Sequence, residues 1–191
     1  MKYKFQNFIK DIGCLLSLVI LISCTEDIEA SIPPSQSVVS ISGTLPVMYI
    51  DTENHSPIVS KEVYLNAFYR LDPMGIEGIE ALGTKNEPLP LQIRGRGHSS
   101  WKGAKKPYKL NLEEKMAIMG MPKNKHWALL KPSENTVAGL QIGKLMDMAW
   151  TPSFRPVEVV LNGDYIGLYF LTETIRIDKN RVIMREKRKK G

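Results

Sequence analysis

The residues in this chain best suited to chemistry are cations set among glycines. Arg94-Gly-Arg-Gly97 is followed by Lys105-Lys-Pro-Tyr-Lys109. A guanidinium is planar and offers paired donors to phosphate oxygens, so Arg94 and Arg96 are candidate anion ligands. Gly95 and Gly97 would let the backbone approach a ligand or take a positive φ. A plainer reading stands beside this one. An Arg-Gly-Arg-Gly turn can be a solvated loop, and Lys105, Lys106 and Lys109 a basic edge that discourages strand pairing. Trp101, Tyr108 and Trp127 fit a core better than a ligand platform.

Other chemistries find less support. The three histidines, His55, His98 and His126, are scattered without metal-ligand spacing, so no metal site is expected. Cys14 and Cys24 both lie near the N-terminus, so no later disulfide or thiolate centre can form. The chain has 191 residues, 43% hydrophobic and 24% charged, a composition of one globular domain. Its net charge of +6 suits an anionic partner. Much of the excess sits at the ends, however, in Lys2, Lys4 and Lys10 and in the run from Arg185 to Lys190. Nucleic acid is therefore not the expected partner.

The elements that must position these residues are mostly strands. Short β-branched or aromatic runs predict strands at 38–41, 47–50, 63–69, 89–93 and 127–130, and residues 108–112 alternate as a half-buried strand does. Residues 72–90 read as a loop. A helix is expected after Pro132, capped by Ser133 or Asn135, with Ala138, Ile142, Leu145 and Ala149 on one face. Gly139 and Gly143 lower its propensity by about 1 kcal/mol each and could admit a close neighbour. Residues 155–161, the pair Asn162-Gly163 and residues 164–173 predict a hairpin with a type I′ turn. The class expected is α+β, mostly antiparallel strands with one main helix.

The first segment reads as an address. A basic stretch precedes the apolar run from Cys14 to Cys24, as in a secretory leader. The run is shorter than the roughly 20 residues of a membrane span. Leu21-Ile22-Ser23-Cys24 resembles a bacterial lipobox, which predicts cleavage of residues 1–23 and lipidation of Cys24. The acidic residues after Cys24 resemble the surface-export signal of Bacteroidetes lipoproteins. Residues 24–37 read as a tether, 38–184 as the domain and 185–191 as a basic tail. The expectation is an exported lipoprotein of the outer membrane or cell surface, held to the membrane by acyl chains.

Three blocks in order resemble the spore-coat-protein-H-like (CotH-like) kinase family. They are Arg94-Gly-Arg-Gly-His-Ser-Ser-Trp101 with Lys105-Lys-Pro-Tyr-Lys109; Met119-Gly-Met-Pro-Lys123 with Trp127-Ala-Leu-Leu130; and Val157-Glu-Val-Val-Leu-Asn-Gly-Asp-Tyr-Ile-Gly-Leu-Tyr-Phe-Leu-Thr-Glu173 with Lys179-Asn-Arg-Val182. The resemblance implies the N-terminal portion of a divergent protein-kinase-like fold and phosphoryl transfer from ATP, with Mg, to protein. It implies nucleotide binding by Arg94, Arg96, Lys106, Lys109 and Glu173. One of the two lysines would hold phosphates; strand parity puts them on different faces unless Pro107 disturbs the alternation. Glu173 would pair with a lysine or sit near the adenine.

Departures from the family pattern qualify the expected activity. Gly139-Leu140 stands where the family has an Arg-Asn pair, and His98 where asparagine is common. The family's metal-binding acids would follow Val182, where this sequence reads Met184-Arg-Glu-Lys-Arg-Lys-Lys-Gly191. A partial domain, inactive alone, is therefore expected, with a separately encoded C-terminal half as a conceivable partner. The competing expectation is a non-enzymatic adhesin or structural lipoprotein with a protein or glycan ligand.

Overall fold

Alternation of side chains builds the architecture. In β3 (Leu89–Gly95) and β4 (Tyr108–Met116), Leu91, Ile93, Leu110 and Leu112 share one face and are almost fully buried. Gln92, Arg94, Lys109 and Asn111 take the other face. Alternation recurs in β2 (Leu65–Asp72) and in most of β1 (Val47–Thr52), whereas β5 (Asn124–Leu130), β6 (Phe154–Leu161) and β7 (Asp164–Glu173) carry consecutive buried residues. The structure, a computed structural model, describes residues 40–177, 181 and 182, all in the unit Val39–Gly191. The expected leader, Cys24, the tether and the basic tail lie outside the described residues. Of the strand expected at 38–41, the described Ser40 and Ile41 are not in a strand.

The strands close into a barrel in the order β1-β2-β3-β4-β5-β7-β6. Every pairing is antiparallel except the closing one, β6 beside β1. Closure pairs every strand on both sides, apart from the break in the β4–β5 ladder between Asn111 and Met116. The inward faces form one core around Trp127, Tyr69, Tyr169 and Met48. Each fully buried large apolar side chain contributes about 1.5–3 kcal/mol. The Trp127 indole N–H donates to the Asn124 carbonyl at 3.0 Å, so the most buried polar hydrogen of the core is satisfied.

Two polar side chains tie the seam. Asn162 and Gly163 both have positive φ, 53° and 87°, as a type I′ turn requires. Asn162 Oδ1 also accepts the Thr52 backbone N–H at 2.8 Å, which joins the β6–β7 turn to β1. Glu158 is buried, and its carboxylate accepts Ser42 N–H at 3.0 and 3.1 Å and the Tyr165 hydroxyl at 2.6 Å. That network pins the segment ahead of β1 onto the hairpin.

Several boundaries differ from the sequence reading for local reasons. β2 starts at Leu65 rather than 63, because Ser60 Oγ accepts the N–H groups of Glu62 and Val63 and holds a turn there. β4 and β5 run past their expected apolar cores, to Met116 and from Asn124. Their ladder is interrupted between Asn111 and Met116, and Asn124 fastens the irregularity by bonding Lys125 N–H, His126 N–H and the His126 carbonyl.

The helix α1 (Glu134–Leu145) has Ser133 as its cap residue, although no side-chain cap bond forms. Its expected inward face is not inward among the described residues. Ile142 and Leu145 are 53% and 85% exposed, and Ala149 lies beyond the helix end. The contact is made instead through Gly143, the helix's buried residue, where an added Cβ would stand 3.1 Å from Thr151 Oγ1. Gly139 faces open space. Among the described residues no helix is long and apolar enough to cross a membrane.

Candidate functional site

The cationic segment is built around an aromatic plug at one end of the barrel. β3 stops at Gly95, whose N–H donates to the Ser60 carbonyl at 2.8 Å. A Cβ on Gly95 would fall 2.6 Å from the Trp101 ring, so glycine is needed there to seat the indole. Gly97 takes φ +88°, and a Cβ there would lie 2.0 Å from Ser100 Oγ. These two constraints let the 3-10 turn Ser99–Lys102 fold back over the barrel end. Trp101 then meets Tyr108 edge-on at 6.2 Å, and Tyr108 meets Tyr169 at 6.2 Å. The glycines serve this indole and turn rather than a ligand's approach.

Between Gln92 and Leu112 there are six lysines and arginines and no aspartate or glutamate. The structure places five of them in two groups and Lys102 at the end of the 3-10 turn. Lys105 and Lys106 contact the rings of the plug, and Arg96 joins them through its backbone N–H, which donates to the Pro107 carbonyl at 3.1 Å. Lys106 Nζ donates to the Trp101 carbonyl at 2.7 Å and stands 5.3 Å from its ring. Lys105 Nζ donates to the Ile166 carbonyl at 2.5 Å and stands 4.1 Å from the Tyr169 ring. The Tyr169 hydroxyl closes the arrangement by donating to the Lys106 carbonyl at 2.9 Å. Such cation–π and carbonyl contacts orient an ammonium while leaving it further N–H donors. Burial lowers Lys105 and Arg96 from their ordinary values and raises Tyr108 and Tyr169; a desolvated cation and a desolvated phenol each favour the neutral form.

Arg94 and Lys109 are opposite one another on the outer face of β3 and β4. The Arg94 guanidinium stacks 4.9 Å from the Tyr64 ring, and its buried Nε has no hydrogen-bond partner. Two like charges in register repel, so an anion between them would relieve the pair. Lys106 precedes the strand, so the question of its parity with Lys109 does not arise; the two belong to different groups.

Glu173 stands in another setting. It pairs across the ladder with Trp127. Its carboxylate accepts Arg181 at 2.6 Å and the Ser153 N–H at 3.1 Å. Both partners of the ion pair are nearly buried, 7% and 2% exposed. They line a cleft of about 340 Å³ with Lys123, Trp150, Thr151 and Ser153. The expected pairing of Glu173 with a lysine is thus replaced by one with Arg181. Sequence reasoning gave no role to Arg181 or Tyr169, and to Lys105 only that of a basic edge; all three lie in the blocks that carry the family resemblance, without any spacing that names a partner.

The described residues contain no group of three or more His, Cys, Asp or Glu able to hold a metal ion. The arrangement can neutralise and orient an anion; it does not by itself supply magnesium ligands.

No curated protein matches the chain. The model of the CotH kinase protein family matches residues 92–190, from β3 through β7 and onward. That match spans more than half of the 191 residues, and it contains the aromatic plug, both cationic groups and the Glu173–Arg181 pair: the chain belongs to the CotH kinase protein family.

Proposed function

We propose that this chain is a lipid-anchored, exported member of the family whose cationic barrel end binds the phosphates of ATP. The observation that carries this reading is the acid-free run of six cations from Gln92 to Leu112, which lies within the family match and in which Lys105 and Lys106 are held by aromatic rings and carbonyls. Phosphate recognition depends on positioned positive charge. Arg96 and Lys106 are the primary ligands in this proposal, with Arg94 and Lys109 as a second pair on the adjoining outer face. Glu173 would meet the nucleotide through the cleft it shares with Arg181.

In the family reading, ATP supplies a phosphoryl group to protein on a kinase-like fold. The described residues of this chain bind and orient the anion; they do not form a magnesium site, and no transfer step is assigned to them. Lipidation at Cys24 would hold the domain at a membrane surface, where its protein substrate or surface ligand would be met.

Calorimetry of ATP with magnesium on the full chain in mild detergent tests the site. Arg96→Ala and Lys106→Ala should each weaken binding at least tenfold, about 1.4 kcal/mol. ATP affinity unchanged in both folded variants would overturn the assignment.

A further inference from the structure

The outer face of β3 and β4 carries neutral chemistry one pair along from Arg94 and Lys109. Asn66 on β2, Gln92 on β3 and Asn111 on β4 lie in register across three strands. Gln92 Nε2 donates to Asn66 Oδ1 at 3.4 Å, and Asn111 Nδ2 donates to Gln92 Oε1 at 3.3 Å. These long bonds make a row of linked amides across the outer surface. Two residues along β2 on the same face, Phe68 is 46% exposed, directly opposite Pro90. Beyond Asn111 the β4–β5 ladder breaks, and Glu113 and Lys125 border the gap. Together these residues line a hollow of about 410 Å³, within the roughly 300–1,000 Å³ of small-ligand sites. A second hollow of about 220 Å³ shares Pro90 and Glu113 with it, so the surface accommodates a ligand longer than one compact unit.

We propose that this face binds a neutral oligosaccharide. Side-chain amides present a donor and an acceptor together, which matches the adjacent hydroxyls of a sugar ring. An exposed aromatic ring offers a negative face to the slightly positive C–H groups on the flat side of a pyranose. Asn66 and Phe68 are two residues apart, about 7 Å along the strand, so one ring can meet both. Other ligand classes fit worse. Glu53 and Glu113 outnumber Lys125 in the lining, which disfavours phosphates and acidic sugars. An extended peptide recognised by strand addition needs a long free edge, and the closed barrel leaves only the short break between Asn111 and Met116. A purely apolar ligand would strip the amide row of its hydration without replacing its hydrogen bonds. The hollow is lined by none of the residues proposed for ATP, although Gln92 and Asn111 lie two residues from Arg94 and Lys109 on the same face.

The test is an array of neutral glucose-, mannose- and N-acetylglucosamine-based oligosaccharides, probed with the full chain. The detergent is a polyoxyethylene one, which carries no sugar headgroup. A bound glycan is then titrated against Phe68→Ala and Gln92→Ala. Binding should fall at least tenfold in each, with ATP affinity and Tm unchanged. Both side chains are exposed, so the variants retain the core; Asn66→Ala, also exposed, provides a third probe if Phe68→Ala lowers Tm. Failure of the native chain to bind any neutral glycan, binding confined to acidic ones, or binding that survives all three substitutions would overturn the proposal.

Discussion

At the scale of single residues, the charged groups in this protein are fixed by what they touch more than by where they fall in a motif. Glu173 is the clearest case. Two buried charges at 2.6 Å with a backbone N–H on the carboxylate form a pair whose disruption is expensive, because the remaining charge stays buried without its partner. Glu173→Gln should therefore lower unfolding free energy by about 3 kcal/mol, read from urea denaturation. A loss below about 0.5 kcal/mol would show that the pair is a surface contact in solution. Tyr69 gives a second test. Burial pushes its phenol up to about 12 from 10.0. Between those values the unfolded chain has released the proton that the folded chain retains, so stability falls as pH rises through the window. Alkaline denaturation of the native chain should steepen above pH 10, and Tyr69→Phe should reduce that slope. An identical slope in the variant would mean Tyr69 ionises freely in the folded protein.

At the scale of elements, the strands were legible where alternation or a turn pair marked them, as in the first half of β4 and in the hairpin of β6 and β7. Their extensions were not, because Glu113-Glu-Lys115 carries no alternation and the Asn124 network that stabilises the broken ladder is visible only in three dimensions. The helix shows the reverse failure. Its apolar spacing was legible, but periodicity identifies a face and not what the face meets. Ile142, Leu145, Met146 and Met148 are all exposed, and the contact that holds α1 runs through Gly143 against Thr151. Leu145→Gln should therefore change unfolding free energy by less than about 0.5 kcal/mol, as surface substitutions do, while lowering binding of a hydrophobic dye. A destabilisation above about 2 kcal/mol would show that Leu145 is buried in solution.

At the scale of the whole molecule, barrel closure depends on a pairing that no local pattern announces. β6 runs parallel to β1, more than a hundred residues away in sequence, and Asn162 and Glu158 bridge that seam through side-chain bonds to Thr52 and Ser42. Of the candidate site, Arg94 and Arg96 were legible as anion ligands from charge and glycine spacing, while Lys106 and Lys109 entered through the family resemblance. Its division into a barrel-end group and an outer-face pair was not, because it depends on where β3 ends and on Trp101 filling the space over Gly95. The central claim is that the barrel end receives ATP, and hydrogen–deuterium exchange of the full chain with and without magnesium-ATP tests it by location. The account predicts slowed exchange in residues 96–107 and at the start of β4, with little change in β2. Protection confined to the Glu173–Arg181 cleft, or no protection anywhere at saturating nucleotide, would contradict it.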